Sequence, residues 1–288
     1  MPASTRLAGT VEHRESALSN VATILRLASG EGDGGFHAPS IADFFPPAIF
    51  FEGTIFEINR LQLVRFVAAA ALIIIFVVAA RRAKLVPGRF QNVIEFVLNF
   101  ARVNVAEDIL GKEKAPKYTA LLTTIFCAIL AFNLTGVIPG LNIAGTSLVG
   151  LPIVLALWVY VMYLGAGVKA HGVGGFLKTS LFPPGVPPFL YVLLTPVEFL
   201  TVFILRPATL VIRLLANMMA GHLLLALCFA ATSYLFFETS GALQGFGAVT
   251  FVAGFGFLLF EVFVAALQAY VFAILTAVYL QMSISDEH

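Results

Sequence analysis

Five apolar stretches divide the chain, at residues 61–80, 118–137, 148–168, 189–237 and 246–282, with polar, glycine-rich or basic segments between them. A helix rising about 1.5 Å per residue crosses a hydrocarbon layer about 30 Å thick in about 20 residues. The first three stretches have that length. The fourth and fifth far exceed it, so each predicts a helix that is kinked or strongly tilted, with Pro196 and Pro207 as the expected kink points in the fourth. Between the first two stretches, Phe90, Val93, Ile94, Val97, Leu98, Ala101 and Val105 recur at helical spacing opposite Gln91, Asn92, Glu95, Asn99 and Arg102. That pattern predicts an amphipathic helix near 89–110, lying on a membrane surface. The fold class expected is therefore all-α: a polytopic membrane domain over 44–288 with five transmembrane crossings, preceded by an N-terminal extension, 1–43.

Composition sharpens this reading. Hydrophobic residues make up 59% of the chain and charged residues 11%, with a mean hydropathy of +0.95; soluble domains carry about a quarter charged residues. A net charge of +1 gives no cause to expect nucleic acid as a partner. Charge distribution is more telling. Arg81, Arg82, Lys84, Arg89, Lys112, Lys114 and Lys117 follow the first apolar stretch, and Lys169 and Lys178 follow the third, whereas 138–147 and the region around Ser240 carry no Lys or Arg. The positive-inside rule then sets the N-terminus outside and the C-terminus in the cytoplasm, a parity that five crossings satisfy. The first thirty residues contain Arg6, His13, Arg14 and Arg26 but no uninterrupted apolar run, so no cleavable signal peptide is expected. Cys127 and Cys228 lie in apolar stretches without ligand-like neighbours and are expected to be buried, inert thiols. Gly172-Val173-Gly174-Gly175 is too short and badly placed to cradle a phosphate, and no metal or cofactor motif is present.

Candidate chemistry concentrates in the two long stretches. Arg213 lies in an otherwise almost uncharged apolar run, and a guanidinium cannot shed its charge there. A mid-membrane Arg costs from roughly 3 to more than 10 kcal/mol on an isolated helix, so it is expected to face a polar cavity or a protein partner. Arg206, seven residues before it, and Asn217, four after, share one helix face, while His222 falls about half a turn away. On the last stretch Glu261, Gln268 and Tyr279, separated by seven and eleven residues, form a second polar stripe. Two such stripes facing each other can line a wet path. His222 and Glu261 are natural partners across it, since a buried carboxylate needs a donor and His relays protons near neutral pH. Blander readings exist for each: Arg206 snorkelling to the interface, Asn217 bonding helix to helix, His222 and Glu261 as a structural pair, and Tyr270 packing.

The run Arg206-Pro207 through Arg213-Leu214-Leu215-Ala216-Asn217-Met218-Met219-Ala220-Gly221-His222, with Leu267-Gln268-Ala269-Tyr270 and Thr276-Ala277-Val278-Tyr279-Leu280, resembles subunit a of bacterial F-type ATP synthase. The resemblance covers about 44–288. It implies a multi-pass stator in the bacterial cell membrane, itself without catalytic activity or cofactor, against which a ring of c subunits turns. Two aqueous proton half-channels would meet the ring at different places, and subunit b of the peripheral stalk and the rest of the F1Fo complex would be further partners. By resemblance Arg213 matches the essential arginine between the half-channels, His222 and Glu261 match an acid/His pair, and Asn217 and Gln268 match polar lining positions. Glu198 is assigned by the same resemblance to the cytoplasmic half-channel, although its spacing to Arg206 is one residue longer than the family pattern. Two other classes remain open at this point. A secondary transporter would bind an anionic solute at Arg213, although no second Arg-Pro motif marks an inverted repeat. A non-conducting scaffold would leave the polar stripes without a purpose.

Overall fold

The computed structural model describes residues 48–50, 58–138, 144–182, 187–239 and 242–285. The N-terminal extension, 1–43, lies outside the described residues. A short antiparallel pair, β1 (Ala48–Phe50) and β2 (Ile58–Asn59), precedes the helices and is the small departure from an all-α chain. Helix α1 (Arg60–Arg81) follows directly, capped by Asn59, whose side chain accepts from the Gln62 N–H at 3.0 Å. Helix α2 (Arg89–Ala101) runs through a π-helical turn (Arg102–Glu107) into α3 (Asp108–Leu134). Helix α4 (Gly150–Leu181) comes next, and α5 (Tyr191–Leu200) passes through a second π turn (Thr201–Leu205) into α6 (Arg206–Phe237), which α7 (Ala242–Ile284) follows. Among the described residues, five helical runs are long and apolar enough to cross a membrane: Arg60–Arg81, Arg89–Leu134, Gly150–Leu181, Tyr191–Phe237 and Leu243–Ile284.

Two glycines subdivide the long runs. Gly111 (φ 74°) and Gly172 (φ 72°) hold left-handed backbone that other residues rarely adopt, and they break α3 and α4 respectively. The membrane-length part of α3 thus begins after Gly111, and α4 continues past Gly172 as a short arm carrying Lys178.

The region of the expected surface helix is helical, as α2, the π turn and the start of α3; its C-terminal part belongs to the core, with Ala101, Val105 and Ala106 fully buried, while Phe90, Val93 and Phe96 are exposed. The expected kink in the fourth stretch also takes another form, as the π turn just ahead of Pro207. The Arg206 N–H donates five residues back, to the Thr201 carbonyl. In that register the next N–H would serve Val202, and Pro207 has none to give. The Tyr163 hydroxyl of α4 fills the gap, donating to the Val202 carbonyl at 2.7 Å.

The described residues divide into two compact units, one within 44–222 together with 258–285, the other containing 223–257. In the first, a core of Leu122, Ile125, Phe126 and Ile129 from α3, Val159 and Tyr163 from α4, Leu210 and Leu214 from α6, and Ala269, Phe272, Ala273, Ala277 and Leu280 from α7 packs together. Alanines every four residues let α7 approach its neighbours closely, as membrane helices require where packing replaces the hydrophobic drive. Gly167 of α4 serves the same end: a Cβ there would collide with Ser283 Oγ and come 2.5 Å from the Phe176 ring. Cys127 is buried as expected, but Cys228 is only half-buried. In the second unit, Thr232 and Thr250 bond hydroxyl to hydroxyl at 2.9 Å, and Gly254 lies against Cys228.

Candidate functional site: a polar ladder between two long helices

Helices α6 and α7 run antiparallel where the two polar stripes meet, and the residues pair in register. At one end the Arg206 guanidinium lies over the Tyr279 ring, 5.3 Å from its centroid, a cation–π arrangement. Eleven residues on along α6, and eleven back along α7, the Asn217 Nδ2 donates to Gln268 Oε1 at 3.1 Å. Further along, Gly221 lies against Glu261: a Cβ built on it would sit 3.6 Å from Oε1, in ordinary contact. His222, half-buried, is the next residue of α6. The Glu261 carboxyl of α7 thus lies close to the backbone of α6 beside the histidine.

Burial separates the two sides of this ladder. Glu261 and Gln268 are each 3% exposed, and neither Glu261 oxygen has a hydrogen-bond partner among the described residues. Arg213 is exposed instead, on a face of α6 with Thr209, Ala216 and Ala220. Of the stripe of Arg206, Arg213 and Asn217, the two ends make contact with side chains of α7, while Asn217 is itself exposed, like Arg213.

Arg206 has a second environment. With Glu198 of α5, Tyr163, Phe176, Thr179 and Ser180 of α4, Val202 of the π turn, and Met282 and Ser283 of α7 it lines a mixed polar and apolar cavity of about 120 Å³. The structure therefore brings Glu198 and Arg206 to one site, and Arg206 stacks on Tyr279 rather than reaching away along the interface. Tyr270 packs, with its ring centroid 5.5 Å from that of Phe100.

Residues 62–281 match the family model described as ATP synthase A chain. The chain belongs to the ATP synthase A chain family. A protein of Rhodococcus erythropolis named ATP synthase subunit a is 45% identical over 276 residues, covering 96% of this chain and 98% of that one. Proteins of the same name from Nocardioides sp. and Parafrankia sp. are 35% and 36% identical over 276 and 262 residues, covering 93% and 88% of this chain and 99% and 86% of theirs.

All eight site candidates, Glu198, Arg206, Arg213, Asn217, His222, Glu261, Gln268 and Tyr279, fall inside the segment that matches the ATP synthase A chain model. So do polar groups that the sequence reading passed over. Arg65 in the second turn of α1 donates to the carbonyls of Gly145 at 2.7 Å and Leu148 at 3.3 Å. Asn133 and Thr146, both 0% exposed, bond to each other at 2.6 Å. The signal available for Arg65 was the one that exposed Arg213, a guanidinium within a membrane-length apolar run.

Proposed function

We propose that this ATP synthase A chain family member is the membrane stator of a rotary ATP synthase, forming two proton half-channels against a ring of c subunits and coupling proton flow to rotation. Its partners are the ring, subunit b of the peripheral stalk and the remainder of F1Fo, and its N-terminus lies outside the bacterial cell membrane with its C-terminus inside. The ladder carries the reading: buried carboxyl and amide groups on α7, packed against α6, and an exposed guanidinium on α6 one turn from Asn217. Such a division suits a proton that travels within the chain to a point where it meets a carboxyl group brought by another.

A ring carboxyl group crosses the apolar layer protonated, because low dielectric disfavours its charge. Facing Arg213 at about 4 Å, with an effective dielectric of about 20, its ionised form gains about 4 kcal/mol. That is enough to favour loss of the proton into one half-channel before the carboxylate moves on and is reprotonated from the other. A Lys here could itself deprotonate and let protons through, whereas Arg holds its charge and serves as a barrier. Glu261, His222, Asn217 and Gln268 would pass the proton on the extracytoplasmic side, and Glu198 with Arg206 on the cytoplasmic side. A potential of about 100 mV contributes about 2.3 kcal/mol per charge moved, so several protons accompany each ATP made.

The test is ATP-driven acidification of inverted vesicles carrying either the native chain or Arg213→Ala, with complex assembly checked in both. Loss of pumping with intact assembly is expected. Undiminished pumping would refute the stator reading and turn attention to anionic solute uptake at Arg213.

A further inference from the structure

Helix α1 carries a charge that the polar ladder does not use. Arg65 is half-buried and, among the described residues, meets no carboxylate; its guanidinium is spent on two backbone carbonyls of the turn before α4. A cation within a membrane span is retained for a role, and its partner indicates which. Here the partner is a turn that the end of α3 grips from the opposite side. The Gly145 N–H donates to the Phe132 carbonyl at 2.9 Å and to Thr135 Oγ1 at 3.1 Å. Two glycines make the approach possible, since a Cβ at Gly136 would come 2.9 Å from that of Ala144, and one at Gly145 would come 3.2 Å from Phe132.

Held between α1 and α3, the turn delivers one side chain to a buried amide. Thr146 donates to Asn133 Oδ1 at 2.6 Å, which orients the amide so that Nδ2 approaches the Ala265 carbonyl of α7 at 3.5 Å. Ala265 is one helical turn from Glu261 and both are buried. A continuous set of contacts therefore runs from the Arg65 guanidinium, through the turn, Thr146 and Asn133, to the stretch of α7 that bears the acid of the ladder. Along this set of contacts and at the level of Glu261, the charged or titratable groups are His222 on α6 and Arg65 on α1; the residues of α3 and the turn that take part, Asn133, Thr135, Thr146 and Ser147, carry no charge.

Building on the proton-stator reading, we propose that Arg65 is a positioning residue for proton entry at Glu261. By fixing the turn it keeps Thr146 on Asn133, and with it a polar wall in place beside the α7 turn that holds Glu261. Without the grip the turn loosens, Asn133 loses its orienting donor, and entering protons are delivered to Glu261 less effectively, although the rotary steps at Arg213 are untouched.

The experiment is ATP synthesis by vesicles holding the complete complex with Arg65→Gln, Arg65→Lys or Thr146→Val, at fixed membrane potential, while the proton concentration on the entry side is varied. Arg65→Gln should raise the half-saturating proton concentration roughly tenfold, the scale of one lost hydrogen-bonded contact, and hold the maximal rate within about twofold. Arg65→Lys keeps the charge and a donor and should recover most of the shift. Thr146→Val leaves the grip intact and should shift in the same direction, so it carries the test where Arg65→Gln does not assemble. An unchanged half-saturation in the assembled variants overturns the proposal, and so does a fall in maximal rate alone, which would make Arg65 a stability element. Arg213→Ala run alongside keeps the two readings apart: ATP synthesis surviving in that variant defeats the stator reading itself, whatever the Arg65 series does.

Discussion

The Tyr163 hydroxyl is the group whose loss the structure prices most directly. Tyr163 is 2% exposed and donates to the Val202 carbonyl at 2.7 Å. That carbonyl belongs to the π turn, where Arg206 already reaches back to Thr201 and the following residue, Pro207, has no N–H. Tyr163→Phe removes one oxygen and leaves no appreciable cavity, so the cost is that of a buried carbonyl losing its donor. Loss of a buried partner costs roughly 1–3 kcal/mol in general, while interhelical hydrogen bonds measured within membranes average about 0.6 and reach about 1.7 kcal/mol. The lower average reflects helices that find substitute partners. Pro207 withholds the nearest substitute, so the expected cost is about 1.5 kcal/mol, or somewhat over tenfold in the unfolding equilibrium.

The same argument predicts a coupling. Pro207→Ala restores an N–H at the position that would serve the turn, and Tyr163→Phe in that background should cost only about 0.5 kcal/mol, giving a coupling of about 1 kcal/mol. Unfolding of the purified chain by a denaturing detergent in mixed micelles, followed by circular dichroism and by the fluorescence of the lone tryptophan, Trp158, would supply all four corners of the cycle. Equal costs of Tyr163→Phe in the two backgrounds would refute the reasoning, as would a cost below about 0.3 kcal/mol with the proline in place.

Glu261→Gln and His222→Ala should each slow proton entry from the outer side and leave assembly intact, because both residues stand at the same level of the ladder; coupled pumping equal to that of native vesicles would count against them. The glycines should differ sharply from one another. Gly167→Val must displace the Phe176 ring and Ser283, and should lower the yield of folded chain as measured by gel filtration in detergent, whereas Gly221→Ala places its methyl in ordinary contact with Glu261 and should fold normally.

What the sequence revealed and what it withheld follow from the kind of signal each feature leaves. The five spans were legible because length and hydropathy are local, and the pairing of the two polar stripes was foreshadowed by their matching spacings. The register that puts Arg206 on Tyr279 and Asn217 on Gln268 was not legible, since periodicity gives the face of a helix and says nothing of its height against a neighbour. The π turns at Arg102–Glu107 and Thr201–Leu205 were missed for a related reason: over five or six residues an apolar run looks the same at either pitch. Arg65 escaped because its partners are backbone carbonyls, which carry no side-chain signature, and because it stands only five residues after Arg60, where a terminal charge draws little notice.

The placement of Arg213 bears on why a chain would expose a guanidinium to the most apolar environment it meets. Left facing hydrocarbon, that group costs from roughly 3 to more than 10 kcal/mol, comparable with the roughly 5–15 kcal/mol net stability of a whole folded protein. Covering it from within was open to this fold, because Asn217, one turn away on the same helix, is bonded to Gln268 of α7. The residues that share its face argue against a lone cation reaching for the membrane surface, since Thr209, Ala216 and Ala220 are small and exposed, as suits a second helix packing at close range. A helix arriving there with a carboxyl group would offset the cost of the charge with about 4 kcal/mol of attraction at about 4 Å. The same helix arriving without one would add desolvation to a charge still unpaired. On the proposed stator reading, Arg213 would select for an acidic partner helix by penalising any other, at the level of the ladder where α6 presents its charge outward.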